Sequence, residues 1–193
     1  MTKCTKGNLV IISGPSGVGK STICNIVVER LDNVYLSIST TTRPKAENEV
    51  DGKEYYFITR EQFEAKIEED AFLEHAEVFG NLYGTLKENV DKALDEGKTI
   101  ILEIDVQGAI QIKEQCPNAI MIFILPPTQK DLVDRMNGRG REDEETAKVR
   151  LEEAGNEIAA AWRYYDNMVI NDDLEQAVNE VIQIIENERQ DKE

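Results

Sequence analysis

NLVIISGPSGVGKST, residues 8 to 22, decides the fold. Asn8 to Ser13 is a short β-branched apolar run, the mark of a strand buried on both faces, and it stops at Gly14. From Lys20 to Leu31 the apolar positions Ile23, Ile26, Val27 and Leu31 recur at three- and four-residue spacing, which predicts an amphipathic helix. Between strand and helix, Gly14-Pro15-Ser16-Gly17-Val18-Gly19-Lys20-Ser21 fits the phosphate-loop pattern G-x-x-x-x-G-K-[ST] in its required context. Glycines let the backbone curl without Cβ clashes, so successive N–H groups can face phosphate oxygens while the helix start adds its positive dipole end. Lys20 is expected to neutralise β and γ phosphates and Ser21 to offer its hydroxyl to Mg²⁺, with Thr22 as a helix-start residue within reach of a phosphate.

Moving outward, Thr99 to Ile104 and Ala119 to Leu125 are further short apolar runs beside helical periodicity, and Met168 to Ile170 is a weaker one. A final helix is expected from about Leu174 to Glu188. The alternation predicts an α/β protein: a parallel sheet core flanked by helices, of the P-loop NTPase type. Two stretches interrupt it. Between Ser37 and Gly84 strand-like runs (Tyr55 to Ile58, Phe72 to Phe79) flank a helix from Glu61 to Glu69 whose Thr59-x-x-Gln62 start has capping-box form, which predicts an inserted β-rich lobe. After Pro126-Pro127, a helix from Thr128 to Met136, a loop through Arg141 and a long Glu- and Ala-rich helix from Asp143 predict a second, helical insertion. The expected division is a core of residues 1–36, 86–128 and 164–193, a lobe of 37–85 and a lid of 129–163, together one unit over 7–188.

Thirty-eight acidic against 22 basic residues give a net charge of −16, which argues against nucleic acid or an anionic membrane as partner. Any anion bound must meet a local patch of cations. Cys4, Cys24 and Cys116 contain no C-x-x-C pair, so neither a disulfide scaffold nor a zinc knuckle is expected, and His75 stands as the one histidine. The short apolar runs and the N-terminus predict a soluble, cytoplasmic protein without a membrane span. Asp105 closes the TIILEI run where a Walker B acid would stand, although a helix N-cap is the plainer role and one residue could fill both. The D-x-x-G of Asp105 to Gly108 is not accompanied by any N-K-x-D, which disfavours a GTPase.

GPSGVGKST at 14–22, SISTTTRP at 37–44, EVDGKEYYF at 49–57, FLEHAEVFGNLYGT at 72–85, ILEIDVQGA at 101–109, ILPPT at 124–128, GRGREDEE at 138–145 and VINDD at 169–173 together resemble the guanylate kinases, which transfer the γ-phosphoryl of ATP to GMP. The Ser-x-Ser-Thr-Thr-Thr-Arg and Tyr83-Gly84-Thr85 blocks are the specific ones. The resemblance implies a core, a GMP-binding lobe and a lid. It implies Glu74 as the carboxylate to guanine N1 and N2, Ser39 and Thr85 as hydroxyls near O6, Asp105 with Glu103 near the base and the metal, and Arg43, Tyr55 and Tyr83 on the GMP phosphate. It implies Arg135, Arg139 and Arg150 as lid arginines at the transferring phosphoryl, Arg139 also near adenine, and Asn171 as an adenine-side contact. GMP, with dGMP as an alternative acceptor, and ATP are the implied partners, on a monomer or homodimer.

One departure stands out. The family pattern is close to R-x-P-R-x-G-E, but this chain reads Arg43-Pro44-Lys45-Ala46-Glu47-Asn48-Glu49, so Ala46 replaces a second arginine. Lys45 is expected to substitute in part, as a less directional point charge. Two other readings compete: a catalytically silent interaction module, disfavoured by the intact Gly19, Lys20 and Ser21, and a kinase of another phosphorylated acceptor.

Overall fold

The structure, a computed structural model, describes residues 7–137 and 144–190. In chain order its elements are β1 (Asn8–Ser13), α1 (Lys20–Arg30), β2 (Val34–Leu36), β3 (Thr40–Thr41), β4 (Tyr56–Phe57), α2 (Arg60–Glu68), β5 (Phe72–Val78) and β6 (Asn81–Leu86). There follow α3 (Lys87–Asp95), β7 (Thr99–Glu103), α4 (Val106–Gln115), β8 (Ile120–Leu125), α5 (Gln129–Asn137), α6 (Glu144–Tyr164), β9 (Asn167–Ile170) and α7 (Leu174–Gln190).

The expected parallel sheet is present, with strand order β2-β7-β1-β8-β9 and every pairing parallel. Its three central strands are buried on both faces, which is why they read as unbroken apolar runs rather than alternating ones. One face packs Val10 and Ile12 against Ile23 and Val27 of α1 and Val178 and Val181 of α7. The other packs Leu9 and Ile11 against Val90 of α3, Ile112 of α4 and Ala161 of α6. The register pairs Ile12 with Glu103 and Ser13 with Phe123, so the carboxyl ends of β1, β7 and β8 open on one edge, the usual place for a ligand in an open α/β sheet. Cys24 and Cys116 are buried free thiols, and burial pushes the Cys24 thiol well above its ordinary range, away from thiolate chemistry.

A second sheet, ordered β4-β3-β6-β5, lies between β2 and α3 in sequence. It is held by a small core in which the Phe63 and Phe72 rings stack at 4.3 Å. Helix α2 opens with the expected capping box: the Thr59 hydroxyl accepts from Gln62 N at 3.2 Å and Gln62 Oε1 accepts from Thr59 N at 2.9 Å. Its edge strand β5 is closed off by α4. The Gln111 side chain accepts from His75 N at 3.3 Å and donates to His75 O at 2.8 Å, and Gln115 donates to Leu73 O at 2.9 Å. Two side-chain amides thus stand in for a neighbouring strand and tie the second sheet to a helix of the first.

Local detail differs from expectation in instructive ways. The YYFI run forms only the two-residue β4, and β6 was not legible because Tyr83, Gly84 and Thr85 carry no period-two apolar pattern; its partner strands supply the ladder instead. Helices α5 and α6 fall in the stretch after Pro126-Pro127 and pack through Leu132 and Ala154. Among the described residues, no helix is long and apolar enough to cross a membrane.

Candidate active site

The phosphate loop is shaped by its own sequence and by one distant residue. Gly19 caps α1 at φ 105°, a left-handed conformation glycine adopts without a Cβ penalty, and a Cβ there would press on the Asn171 amide. Asn171 is buried, and its Nδ2 donates to Val18 O at 2.8 Å, so β9's end braces the loop from beneath. The Lys20 ammonium lies across the loop, donating to Gly14 O at 2.6 Å and Pro15 O at 3.2 Å. Gly14 and Pro15 are buried, Ser16 and Gly17 are partly so, and Ser21 and Thr22 are exposed at the opening of α1.

Two acids follow the neighbouring strand. Glu103, the last residue of β7, accepts the Ser21 hydroxyl at 2.7 Å. Asp105 caps α4, accepting from Gln107 N at 2.6 Å and Gly108 N at 3.0 Å. Of the two acids it is therefore Glu103 that meets Ser21, because the parallel register sets the end of β7 beside the end of β1.

Across the cleft the second sheet presents a buried polar hollow. Glu74 on β5 is only 4% exposed and Thr85, its partner on β6, is fully buried. Neither Glu74 Oε1 nor Thr85 Oγ1 has a hydrogen-bond partner, and the hydroxyl of Thr40, which pairs with Gly84 beside Thr85, is likewise buried and unmatched. Burial pushes the Glu74 carboxyl up to about 7, with the Asp105 charge adding to the rise and the closeness of Thr85 opposing it. Unpaired buried oxygens in a group destined to ionise near neutrality are costly to fold around, which points to a ligand with donors. Ser39 is partly buried and its carbonyl accepts from Tyr56 N at 2.9 Å, tying β4 to β3.

The rim of the hollow carries Arg43. Its guanidinium sits 5.4 Å from the Tyr55 ring centroid, and the Tyr55 and Tyr83 rings meet edge-on at 6.0 Å. Burial, with the charge of Glu103 behind it, pushes the Tyr55 phenol up to about 12, so it stays a neutral donor. Gly108, on the helix that Asp105 caps, lies against the Glu74 carboxylate, so the end of the main sheet's α4 adjoins the hollow of the second sheet. Lys45 turns away from it: its ammonium donates to Glu49 O at 2.8 Å and lies 3.5 Å from Ala46 O.

Residues 6–188 match the family model described as guanylate kinase. The chain is 48% identical over 183 residues to a guanylate kinase of Clostridium perfringens, covering 95% of this chain and 84% of the relative. It is also 48% identical over 184 residues to one of Carboxydothermus hydrogenoformans, covering 95% and 90%. The chain belongs to the guanylate kinase family. The crystal structure of guanylate kinase from Anaplasma phagocytophilum superposes with a TM-score of 0.79 at 34% identity, over 94% of this chain and 86% of that one. The enzyme class is accordingly that of a nucleoside-monophosphate kinase, a phosphotransferase.

Within the family framework, Arg135 falls on α5 and Arg150 on α6, while Arg139 and Arg141 lie outside the described residues. Three residues that matter to the site escaped the sequence reading. Glu49 grips Arg43 through both of its oxygens, Gly108 leaves the space in which the Glu74 carboxylate sits, and Gln111 fixes β5 to α4. The D-x-x-G match already contained Gly108, but its use as clearance for a carboxylate from another sheet has no local signal.

Proposed function

We propose that the protein transfers the γ-phosphoryl of ATP to GMP, giving ADP and GDP, with ATP on the phosphate loop and GMP on the second sheet. The observation that carries this reading is the buried, unpaired Glu74 oxygen beside Thr85. Guanine offers N1–H and the N2 amine as adjacent donors to a carboxylate and O6 as acceptor to the hydroxyls of Ser39 and Thr85; adenine presents the reverse pattern and leaves the buried groups unmatched. On this reading Arg43 takes the GMP phosphate, with Tyr55 and Tyr83 as hydroxyl donors.

ATP's phosphates lie against main-chain N–H groups of the loop and of the start of α1, with Lys20 swinging from the Gly14 and Pro15 carbonyls to the β and γ phosphates. The donor set near Ser21 would fit Mg²⁺, since a hydroxyl and the Glu103 carboxylate are hard oxygens. Mg²⁺, when bound, neutralises charge on the β and γ phosphates. Asp105 adds negative potential near the base while serving as the cap of α4.

The GMP phosphate oxygen is already an anionic nucleophile, so attack on the γ phosphorus forms the new O–P bond, and the bond to the ADP oxygen breaks, without a strong general base. The protein's part is alignment and charge. Lys20 spreads the developing negative charge; the resemblance assigns the same part to Arg135, Arg139 and Arg150, and adenine-side contacts to Arg139 and Asn171, in a closed site that excludes water able to hydrolyse ATP. Two buried free thiols suit a reducing, cytoplasmic setting.

Incubation with Mg-ATP and separately GMP, dGMP, AMP, CMP and UMP, reading ADP release, tests the proposal. GMP-dependent release well above the others is expected. Release with none of them marks a silent module, and preference for a non-guanine acceptor overturns the base assignment.

A further inference from the structure

The loop from Arg43 to Glu49 carries two cations and two carboxylates, so it offers a phosphate no net charge. One of those carboxylates already occupies the arginine. Glu49 Oε1 accepts from Arg43 Nη2 at 2.6 Å, Oε2 accepts from Nη1 at 3.0 Å, and the same Oε2 accepts from Ala46 N at 2.7 Å. Two guanidinium donors and one main-chain N–H converging on a pair of oxygens is the donor set that a phosphate monoester would also use. We propose that Glu49 is an internal occupant of the phosphate clamp, so that the acceptor phosphate binds in competition with it and Glu49 sets the affinity for GMP. This rests on the reading of Arg43 as the residue that takes the GMP phosphate.

An incoming phosphate has two choices. It displaces the Glu49 carboxylate from the fork, or it takes the remaining edge of the guanidinium with a negative group held on the other edge. Exchange opposes binding in the first case and like-charge repulsion in the second. Arg43 does not depend on Glu49 alone for its place. Its Nη1 also donates to Pro44 O at 3.0 Å, and it lies 5.4 Å and 5.7 Å from the Tyr55 and Phe57 ring centroids. Removing the carboxylate charge should therefore free donors without losing the guanidinium's position. Position 46 bears directly on this balance, because Ala46 reaches Glu49 only through its main-chain N–H and brings no cation to draw the carboxylate away from Arg43.

Steady-state kinetics of the full chain test the inference. Glu49→Gln is expected to lower KM for GMP about fivefold (~1 kcal/mol), the scale of a partly exposed ion pair, with the change residing in KM rather than kcat and KM for ATP unmoved. Ala46→Arg gives Glu49 a second cation and is expected to lower KM in the parent, but by clearly less in the Glu49→Gln background. Glu49→Asp, which shortens the carboxylate's reach, serves if the glutamine variant melts early, and is expected to move KM the same way by less. An unchanged or raised KM in both Glu49 variants overturns the inference and makes Glu49 a positioning residue for Arg43. Arg43→Ala separates the two levels: an unchanged KM for GMP there fails the phosphate-clamp reading itself, whereas a raised KM there with no fall in the Glu49 variants fails only the competition.

Discussion

Gly108 on α4 lies directly against the carboxylate of Glu74 on β5: a Cβ at Gly108 would fall inside van der Waals contact with Glu74 Oε2 and Cδ. A helix of the main sheet therefore shapes the hollow of the second one, and the absence of a side chain is what makes room.

Gly108→Ala sets two effects against each other. Replacing a helix glycine is worth about 1 kcal/mol in propensity, while overpacking a buried site costs about 1–3 kcal/mol. The net expectation is a slightly lower melting temperature. Glu74 must shift, so kcat/KM for GMP is expected to fall roughly ten- to hundredfold while KM for ATP holds, because a small misplacement of a reading group is expensive. Steady-state kinetics with each nucleotide varied in turn check this.

The Glu74 carboxyl, raised by burial from 4.5 to about 7, makes stability depend on pH. The folded state holds this proton more tightly than the unfolded chain does. The contribution is thus fully present below pH 4.5 and is lost as pH rises through about 7, on the scale of ~3 kcal/mol. Denaturant titrations of the ligand-free protein at pH 6 and pH 8 should show the parent losing stability across that window and Glu74→Gln losing much less. On the proposed reading GMP takes the ionised carboxylate, so its KM should fall over the same interval.

Lys20→Ala removes the group that bridges the Gly14 and Pro15 carbonyls and is proposed to meet the transferring phosphoryl. Loss of one preorganised cation at a developing charge is expected to lower kcat about 10²–10³-fold. GMP binding, followed by calorimetry without ATP, should survive. Turnover near the parent's would remove the phosphate loop from the mechanism.

Asn171→Ala leaves the buried Val18 carbonyl without the amide that supports it at 2.8 Å. Loss of that hydrogen bond costs about 0.5–1.5 kcal/mol, which in a chain of this size lowers the melting temperature by roughly 2–4 °C per kcal/mol. KM for ATP is expected to rise more than KM for GMP, since the loop beneath the nucleotide loosens. A melting shift with no effect on ATP would assign Asn171 to folding alone.

Some of this was legible because it is local. A buried parallel strand needs a continuous apolar run, a phosphate loop needs glycines at fixed intervals, and a capping box needs Thr59 and Gln62 three apart; NLVIISGPSGVGKST and the TIILEI run accordingly announced the core sheet, and the motif order carried the family. The allocation of the acids was not legible in the same way. Both Glu103 and Asp105 follow the same strand, yet one meets Ser21 and the other caps a helix, because the β1–β7 register and the start of α4 divide them.

Other relationships join residues far apart in the chain. Asn171 supports Val18 only once β9 lies beside β8, and Gly108 clears space for Glu74 only once α4 crosses the edge of β5. The state of Arg43 lies between these cases. Its sequence neighbourhood showed that Ala46 supplies no second cation and that Glu49 was near, but the curl of the loop decided that Glu49 would turn back onto the guanidinium and Lys45 onto the main chain. The sequence by itself determined which charges and hydroxyls are available and which strands must be buried. Which of those charges face a ligand and which neutralise each other was decided by the tertiary structure, because electrostatic and hydrogen-bond energies depend on distances of a few ångströms that sequence spacing does not specify.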